Sequence, residues 1–261
     1  MAQPTSEPPS KRVALCITCL GDLFYPEVGE ATVRLLRQAG YQVAFPEAQT
    51  CCGQPAFNVG FRAEAAAVAK RNLDIFADYD YVVVPSGSCT SMIRHYYAEL
   101  FAHDARLSKQ AAQLAARTYE LSEFLTQVVH LDHVDAVYHG KVAYHPACHL
   151  LRELGINEAP RQLIRLVAGV EAVSMDLEEQ CCGFGGAFAL KYPQISDAML
   201  QKKIASLKRS GADTLVSCDA GCLLHIAGRL RRLGESIRIM HLAELLTSRE
   251  GDEGDTHASR D

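Results

Sequence analysis

RVALCITCL, residues 12–20, comes back 129 positions later as KVAYHPACHL, residues 141–150. Each copy has a basic residue, an apolar run, and a cysteine just past the run: Cys19 in the first, Cys148 in the second. The next stretches return in the same order. CCGQPAF (51–57) matches CCGFGGAF (181–188) at an offset of 130, and DYVVVPSGSC (80–89) matches DTLVSCDAGC (213–222) at an offset of 133. Loop insertions absorb so small a drift, and an internal duplication accounts for all three matches. Two similar lobes are expected, residues 11–135 and 136–247, with the boundary near residues 130–138.

The segments between the matches set the fold class. RVALCI (12–17), YQVAF (41–45) and DYVVVP (80–85) are short runs rich in β-branched and aromatic residues, as buried strands are. EVGEATVRLLRQAG (27–40) has helical apolar spacing with Gly40 as a stop, and residues 60–77 are rich in alanine and other helix formers. Residues 107–129 read as another long helix. In the second half KVAYH (141–145), VEAVSM (170–175), DTLVSC (213–218) and SIRIM (236–240) read as strands. Residues 160–169, 190–210, 222–233 and 241–248 read as its helices. Strand alternating with helix is the rhythm of parallel units. The expected class is α/β: two pseudo-symmetric lobes, each a small, mostly parallel sheet with flanking helices. The polar ends, residues 1–10 and 248–261, read as disordered tails.

Composition narrows the function. The chain has 261 residues, a formal net charge of −5 and ten cysteines. No basic stripe stands out, so nucleic acid is not an expected partner. No apolar run approaches the roughly 20 residues of a membrane helix, so no transmembrane segment is expected. MAQPTSEPPSKR lacks the apolar core of a signal peptide, and the expected compartment is the cytoplasm. Structural disulfides are disfavoured there, which moves metal binding or redox chemistry ahead as the use of so many thiols. No G-x-G-x-x-G follows the first strand, so no dinucleotide site of that kind is expected.

The cysteines are not scattered. Each half carries one after its first strand, a Cys-Cys-Gly after its second and one after its third: Cys19, Cys51, Cys52 and Cys89, then Cys148, Cys181, Cys182 and Cys222. Loops at the carboxyl ends of neighbouring parallel strands converge, which is where open α/β sheets bind ligands. Helices begin just after most of these loops, and their N-termini favour thiolates and anionic clusters. Four converging thiolates can hold zinc or an iron–sulfur cluster. Zinc is the weaker reading, because adjacent cysteines splay poorly around one tetrahedral ion. Neighbouring thiolates fit better if they bind different irons, or bridge two, in a multinuclear cluster. Gly53 and Gly183 permit positive φ and a close backbone approach, and Gly183, Gly185 and Gly186 can offer N–H groups to cluster sulfurs.

C-x31-CCG-x35-C (Cys19 to Cys89) and C-x32-CCG-x34-C (Cys148 to Cys218) resemble the tandem cysteine-rich CCG domains, a family that includes the cysteine-rich component of heterodisulfide reductase and the iron–sulfur subunit of glycolate oxidase. The resemblance rests on ITCLGDLFYPEVG, CCGQPAFNVG, VPSGSCTSM, HPACHLLRELG, CCGFGGAFALK and GCLLHIAGRL, and covers roughly residues 11–248. The ferredoxin-type C-x2-C-x2-C-x3-C-P module of the glycolate oxidase subunit does not occur, which favours the stand-alone, lactate-utilising branch. The resemblance implies an iron–sulfur electron-transfer subunit of a complex that oxidises L-lactate to pyruvate. It also implies one or two clusters per chain, of the 4Fe-4S type or its non-cubane form, and companion subunits including a ferredoxin-type iron–sulfur protein. Two alternatives stay open: a thiol or disulfide reductase of the heterodisulfide type, and a zinc-stabilised non-catalytic subunit.

The family motif ends in C-x2-C, and here both halves depart from it. The second ends one residue longer, in Cys218-Asp-Ala-Gly-Cys222, and the first has Pro85 where Cys218 aligns. Cys16 is the candidate to make up that loss, and His145 stands at its place in the second half. His145, His149 and Arg152 are candidates for a chemical role beside Cys148, each weighed against an ordinary loop or surface residue. His225 is expected near the second cysteine group, His95 on a plain helix face, and Tyr96 and Tyr97 between the lobes. The working cluster is expected in the second half.

Overall fold

The computed structural model describes residues 11–251; the expected tail at 1–10, and residues 252–261 of the other tail, lie outside the described residues. The first lobe runs β1 (Arg12–Leu15), α1 (Cys19–Phe24), α2 (Pro26–Gln38), β2 (Gln42–Ala44), α3 (Gln54–Asn58), α4 (Arg62–Ile75), β3 (Tyr81–Val84), α5 (Gly87–Ser91), α6 (Tyr97–Leu100), α7 (Ala105–Ala115), β4 (Thr118–Glu120) and α8 (Leu121–Glu123). The second runs β5 (Val137–His145), α9 (Glu158–Leu166), β6 (Ala168–Val173), α10 (Ala187–Lys191), α11 (Pro193–Ser210), β7 (Thr214–Ser217), α12 (Ala220–Leu233), β8 (Arg238–His241) and α13 (Leu242–Leu245). Single π-helical turns follow α5, α8 and Cys148.

Both sheets are four-stranded and wholly parallel, in the same order: β2-β1-β3-β4 and β6-β5-β7-β8. The duplication read from sequence is thus a duplication of topology. The central strands are apolar on both faces, as sheets covered by helices on both sides must be: Val82, Val83 and Val84 are all fully buried, as are Leu215 and Val216. One core continues from the Val13 and Val83 side chains of the first lobe into the Val142, Leu215 and Leu223 side chains of the second. The opposite face of the first sheet packs its own core around Phe76, Met92 and Tyr97. Helices α1, α2 and α8 meet α12, α13 and α9 across the lobe boundary.

The structure differs from the sequence reading in four places. Residues 107–129 are not one helix. After α7, Thr118–Glu120 join β3 as a parallel edge strand (Val82 opposite Thr118), a three-residue run too short to show a period of two. Residues 190–210 divide at Tyr192, because Pro193 starts α11 at a first-turn position whose N–H has no intrahelical partner to lose. Tyr97 is buried within the first lobe, where it accepts from Asn72 Nδ2 at 2.8 Å and donates to the Cys52 carbonyl at 2.9 Å. Ser248, assigned to the tail by its polar neighbours, is buried and donates to the Val137 carbonyl at 3.1 Å.

Candidate metal centre

In the first lobe three strand-end loops deliver four sulfurs. Thr18 caps α1 by accepting from Gly21 N at 3.0 Å, which sets Cys19 on the first turn. Gly53, at φ +87°, turns the Cys51-Cys52 loop into α3. Ser86 caps α5 by accepting from Cys89 N at 3.3 Å. The sulfurs fall into two couples, Cys19–Cys51 at 3.7 Å and Cys52–Cys89 at 3.2 Å. The second lobe repeats this: Cys148–Cys181 at 4.0 Å and Cys182–Cys222 at 3.3 Å, with Gly183 at φ +89° and Asp219 capping α12 through Gly221 N at 3.1 Å. Each vicinal pair therefore divides its sulfurs between two different partners. No couple is near the roughly 2.05 Å of a disulfide, and all ten cysteines are free.

Backbone N–H groups polarise both sites. Gly53 N lies 3.4 Å from Cys51 Sγ, and Gly183 N lies 3.3 Å from Cys181 Sγ. Cys51 and Cys181 are each held well below the usual thiol range. Cys51 accepts from Cys19, then from Cys52, and Cys181 from Cys148, then from Cys182; the glycine N–H adds to both. Their partners Cys19 and Cys148 are pushed up, because ionising them gives up the same bond. Each group of four is thus set to carry negative charge on a shared set of sulfurs. Helix starts beneath the loops favour that charge.

Both groups open onto one cavity of about 870 Å³ between the lobes, lined by all eight of these cysteines. Phe184, Leu190 and Pro193 supply part of its apolar wall, and Arg229 and Arg232 reach it from α12.

The remaining candidates divide. His145 is fully buried at the end of β5, and neither ring nitrogen has a hydrogen-bond partner of normal geometry; the Glu178 backbone lies nearby. One of its nitrogens and the sulfurs of Cys182 and Cys222 lie within 4.8 Å of one another. Burial, and then the charge of Lys203, push its pKa down to about 3, so the imidazole is neutral and free to donate a lone pair. Cys16, its counterpart, is buried behind Cys51 and Cys89, whose charges push its thiol up after burial does. Cys218 does not join the group: its buried sulfur lies 3.9 Å from Tyr144 Oη. His149 lines the cavity with Nδ1 3.6 Å from Cys148 Sγ. Arg152 instead binds the Glu179 carbonyl at 3.0 Å, pinning the loop before Cys181. Gly185 and Gly186 line the cavity at φ +51° and +59°. His225 stands against Phe184 and Ser196 Oγ (3.2 Å), and His95 is exposed on the first lobe.

Sequence reasoning missed three residues that shape these sites. Asn72 donates to the Cys51 carbonyl at 3.0 Å. Lys203, fully buried, donates to the carbonyls of Leu177 and Glu178 at 2.7 and 2.8 Å. Asp219 ties the two lobes together. A signal for Lys203 was present: it sits on the face of α11 that also carries Leu200, Ile204 and Leu207, where a lysine has no solvent to reach.

Comparison with known proteins agrees with the geometry. The model of the CCG cysteine-rich domain matches twice, at residues 13–94 and 142–227. The chain is 49% identical over 238 residues to lactate utilization protein A of Geobacillus kaustophilus (strain HTA426), covering 91% of this chain and 99% of that protein. It is 47% identical, with the same coverage, to lactate utilization protein A of Shouchella clausii (strain KSM-K16). Among solved structures, a hypothetical protein from Helicobacter pylori shares the fold at a TM-score of 0.65 and 10% identity; the match covers 94% of this chain and half of that one. The chain belongs to the family of tandem CCG cysteine-rich domain proteins, in the group that includes lactate utilization protein A.

Proposed function

We propose that the chain is an iron–sulfur electron-transfer subunit of a cytoplasmic system that oxidises L-lactate to pyruvate, working with companion subunits, one of them a ferredoxin-type iron–sulfur protein. The observation that carries the reading is the division of each vicinal cysteine pair between two partners. A tetrahedral metal with metal–sulfur bonds of about 2.3 Å holds its sulfurs roughly 3.8 Å apart. Cys19–Cys51 at 3.7 Å and Cys148–Cys181 at 4.0 Å suit two thiolates of one metal; the Cys52–Cys89 and Cys182–Cys222 couples, at 3.2 and 3.3 Å, would open by about half an ångström to hold another. Among the described residues, no four cysteines in either lobe close to within 4.8 Å of one another, so the donor set fits a multinuclear group better than a single zinc. His145, whose ring nitrogens have no hydrogen-bond partner of normal geometry, is a further donor beside Cys182 and Cys222.

In this reading Cys19, Cys51, Cys52 and Cys89 hold one cluster, with Cys16 in reserve behind them. Cys148, Cys181, Cys182, Cys222 and His145 hold the other. Such clusters supply one-electron chemistry when bound. The protein supplies the thiolates, the Gly53 and Gly183 N–H groups that stabilise charge on Cys51 and Cys181, and burial. Among the described residues no helix is long and apolar enough to cross a membrane.

The experiment is iron and acid-labile sulfide analysis, with EPR, on protein purified without oxygen. Iron and sulfide in near-equal amounts support the reading; stoichiometric zinc without iron sinks it. Loss of growth on L-lactate in a deletion strain tests the assignment to lactate oxidation. One observation favours a second reading. Both cysteine groups face the same 870 Å³ cavity, as a disulfide substrate reduced between them requires. Turnover of small disulfides by the reduced protein, with no effect of deletion on lactate growth, would move the assignment to that reading.

A further inference from the structure

The two sites share a sulfur geometry but not a charge. Gly53 and Gly183 set the correspondence of the helices beneath them: a Cβ on Gly53 would approach the Ala65 carbonyl of α4, and one on Gly183 the Ser196 carbonyl of α11. At the same offset, Asn72 of α4 corresponds to Lys203 of α11. Both are fully buried and both donate to carbonyls of the cysteine-bearing loop. One is a neutral amide and the other an ammonium. Burial draws the Lys203 pKa down from 10.5 to about 8, against the opposing charges of Cys182, Cys222 and Cys181, so the ammonium form still prevails at pH 7; two of its three protons are held by the Leu177 and Glu178 carbonyls. The Asp219 carboxylate is shared by both sites, since it bonds Ser86 and Ser88 of one lobe and Gly221 of the other.

We propose that Lys203 makes the second-lobe site the electron sink of the pair: its buried positive charge holds a cluster on Cys148, Cys181, Cys182 and Cys222 at a higher reduction potential than one on Cys19, Cys51, Cys52 and Cys89. A buried cation favours the more negative, reduced state of a neighbouring group, and it does so more strongly in a low-dielectric interior than in water. The step is a single electron. The first-lobe site is oxidised by one electron, the second-lobe site is reduced by one, and no bond or proton changes hands. The electron originates in the iron–sulfur partner of the proposed function, on which this inference rests. Lys203 acts here as a positioning and tuning residue, apart from the ligands themselves.

Anaerobic protein with both sites loaded is titrated potentiometrically and followed by EPR. Cys51→Ser/Cys52→Ser and Cys181→Ser/Cys182→Ser each leave one site for assignment. The second-lobe signal is expected at the higher potential. Lys203→Met is expected to lower that potential, leave the first-lobe potential in place and keep the iron content; Lys203→Arg, which keeps the charge, restores the wild-type value. A first-lobe signal at equal or higher potential overturns the inference even if Lys203→Met does not fold. So does an unmoved second-lobe potential in Lys203→Met, or a chain that loads one site only. Protein that takes up no iron at all fails the function reading instead, so the two failures are distinct.

Discussion

Ser86 and Asp219 hold the same position in the two lobes and are bonded to each other, Ser86 Oγ donating to Asp219 Oδ2 at 3.0 Å. The Ser88 N–H donates to the same oxygen at 3.0 Å, while Oδ1 caps α12 through Gly221 N. A single buried carboxylate thus orders the helix start behind Cys89 and the one behind Cys222. Gly87 N adds a bond to the Cys218 carbonyl at 3.3 Å, and a Cβ on Gly87 would lie 2.6 Å from that of Leu150. The relative placement of the two cysteine groups therefore depends on contacts between duplicated positions.

Asp219→Ala removes a helix cap, worth about 1 kcal/mol, and two charge-assisted bonds across the lobes at about 1.5–3 kcal/mol each before relaxation. With relaxation the expected loss is roughly 2–4 kcal/mol of unfolding free energy in the metal-free protein. Asp219→Asn is expected to lose nearly as much, because its amide would turn a donor toward donors. Denaturant unfolding measures both; a loss within 0.5 kcal/mol, roughly the scatter of ordinary surface substitutions, would remove Asp219 from this role.

The two CCG glycines are not equivalent. At Gly183 a Cβ would sit 2.7 Å from the Ser196 carbonyl, whereas at Gly53 the nearest atom, the Ala65 carbonyl, is 3.4 Å away; both have φ near +90°. Both alanine variants carry the backbone strain of about 1–2 kcal/mol for a left-handed non-glycine residue. Only Gly183→Ala adds a backbone collision. Gly183→Ala is expected to empty the second site of iron, while Gly53→Ala keeps most of the iron of the first. Iron counts on the two variants check the contrast, and equal losses would refute it.

The repeat was legible because three short motifs kept both their order and their spacing, and topology follows from order and spacing in parallel units. The convergence of Cys19, Cys51, Cys52 and Cys89 was legible for the same reason: each lies just past a predicted strand. Side-chain direction was not. Cys218 and Cys222 are four residues apart and look like one motif, yet Cys218, the first residue past β7, turns its sulfur toward Tyr144, while Cys222 lies on the first turn of α12. Nor could linear spacing show Lys203 beneath the second group, since that contact joins α11 to a loop some 25 residues earlier.

That placement of Cys218 yields a clean comparison. Cys218→Ala is expected to leave iron content unchanged and to cost about 1 kcal/mol of stability for a small buried thiol. Cys182→Ala removes a sulfur 3.3 Å from Cys222 and is expected to lose most of the second-site iron. His145→Ala is expected to reduce it as well, since its nitrogen shares the 4.8 Å group with those two sulfurs. Iron analysis of the three variants separates ligands from neighbours; loss of iron in Cys218→Ala would return that thiol to the site.

Glu120, at the end of β4, carries a pH dependence that can be read without any metal. It is fully buried; Oε2 caps α8 by accepting from Ser122 N at 2.7 Å, and Oε1 has no hydrogen-bond partner. Burial pushes its pKa from 4.5 up to about 7, against the opposing pull of the Ser122 bonds. An acid whose folded pKa is raised binds more protons folded than unfolded, so stability falls as pH rises through the window from 4.5 to about 7 and is level above it. At 1.36 kcal/mol per pH unit, that window corresponds to an upper limit of about 3 kcal/mol. Glu120→Gln keeps an oxygen acceptor for Ser122 N and has no charge to bury. Relative to wild type, the metal-free variant is therefore expected to gain stability between pH 5 and pH 8, approaching that limit. Denaturant unfolding at the two pH values gives the difference directly, and parallel behaviour of the two proteins would show that Glu120 ionises in the folded chain as freely as in the unfolded one.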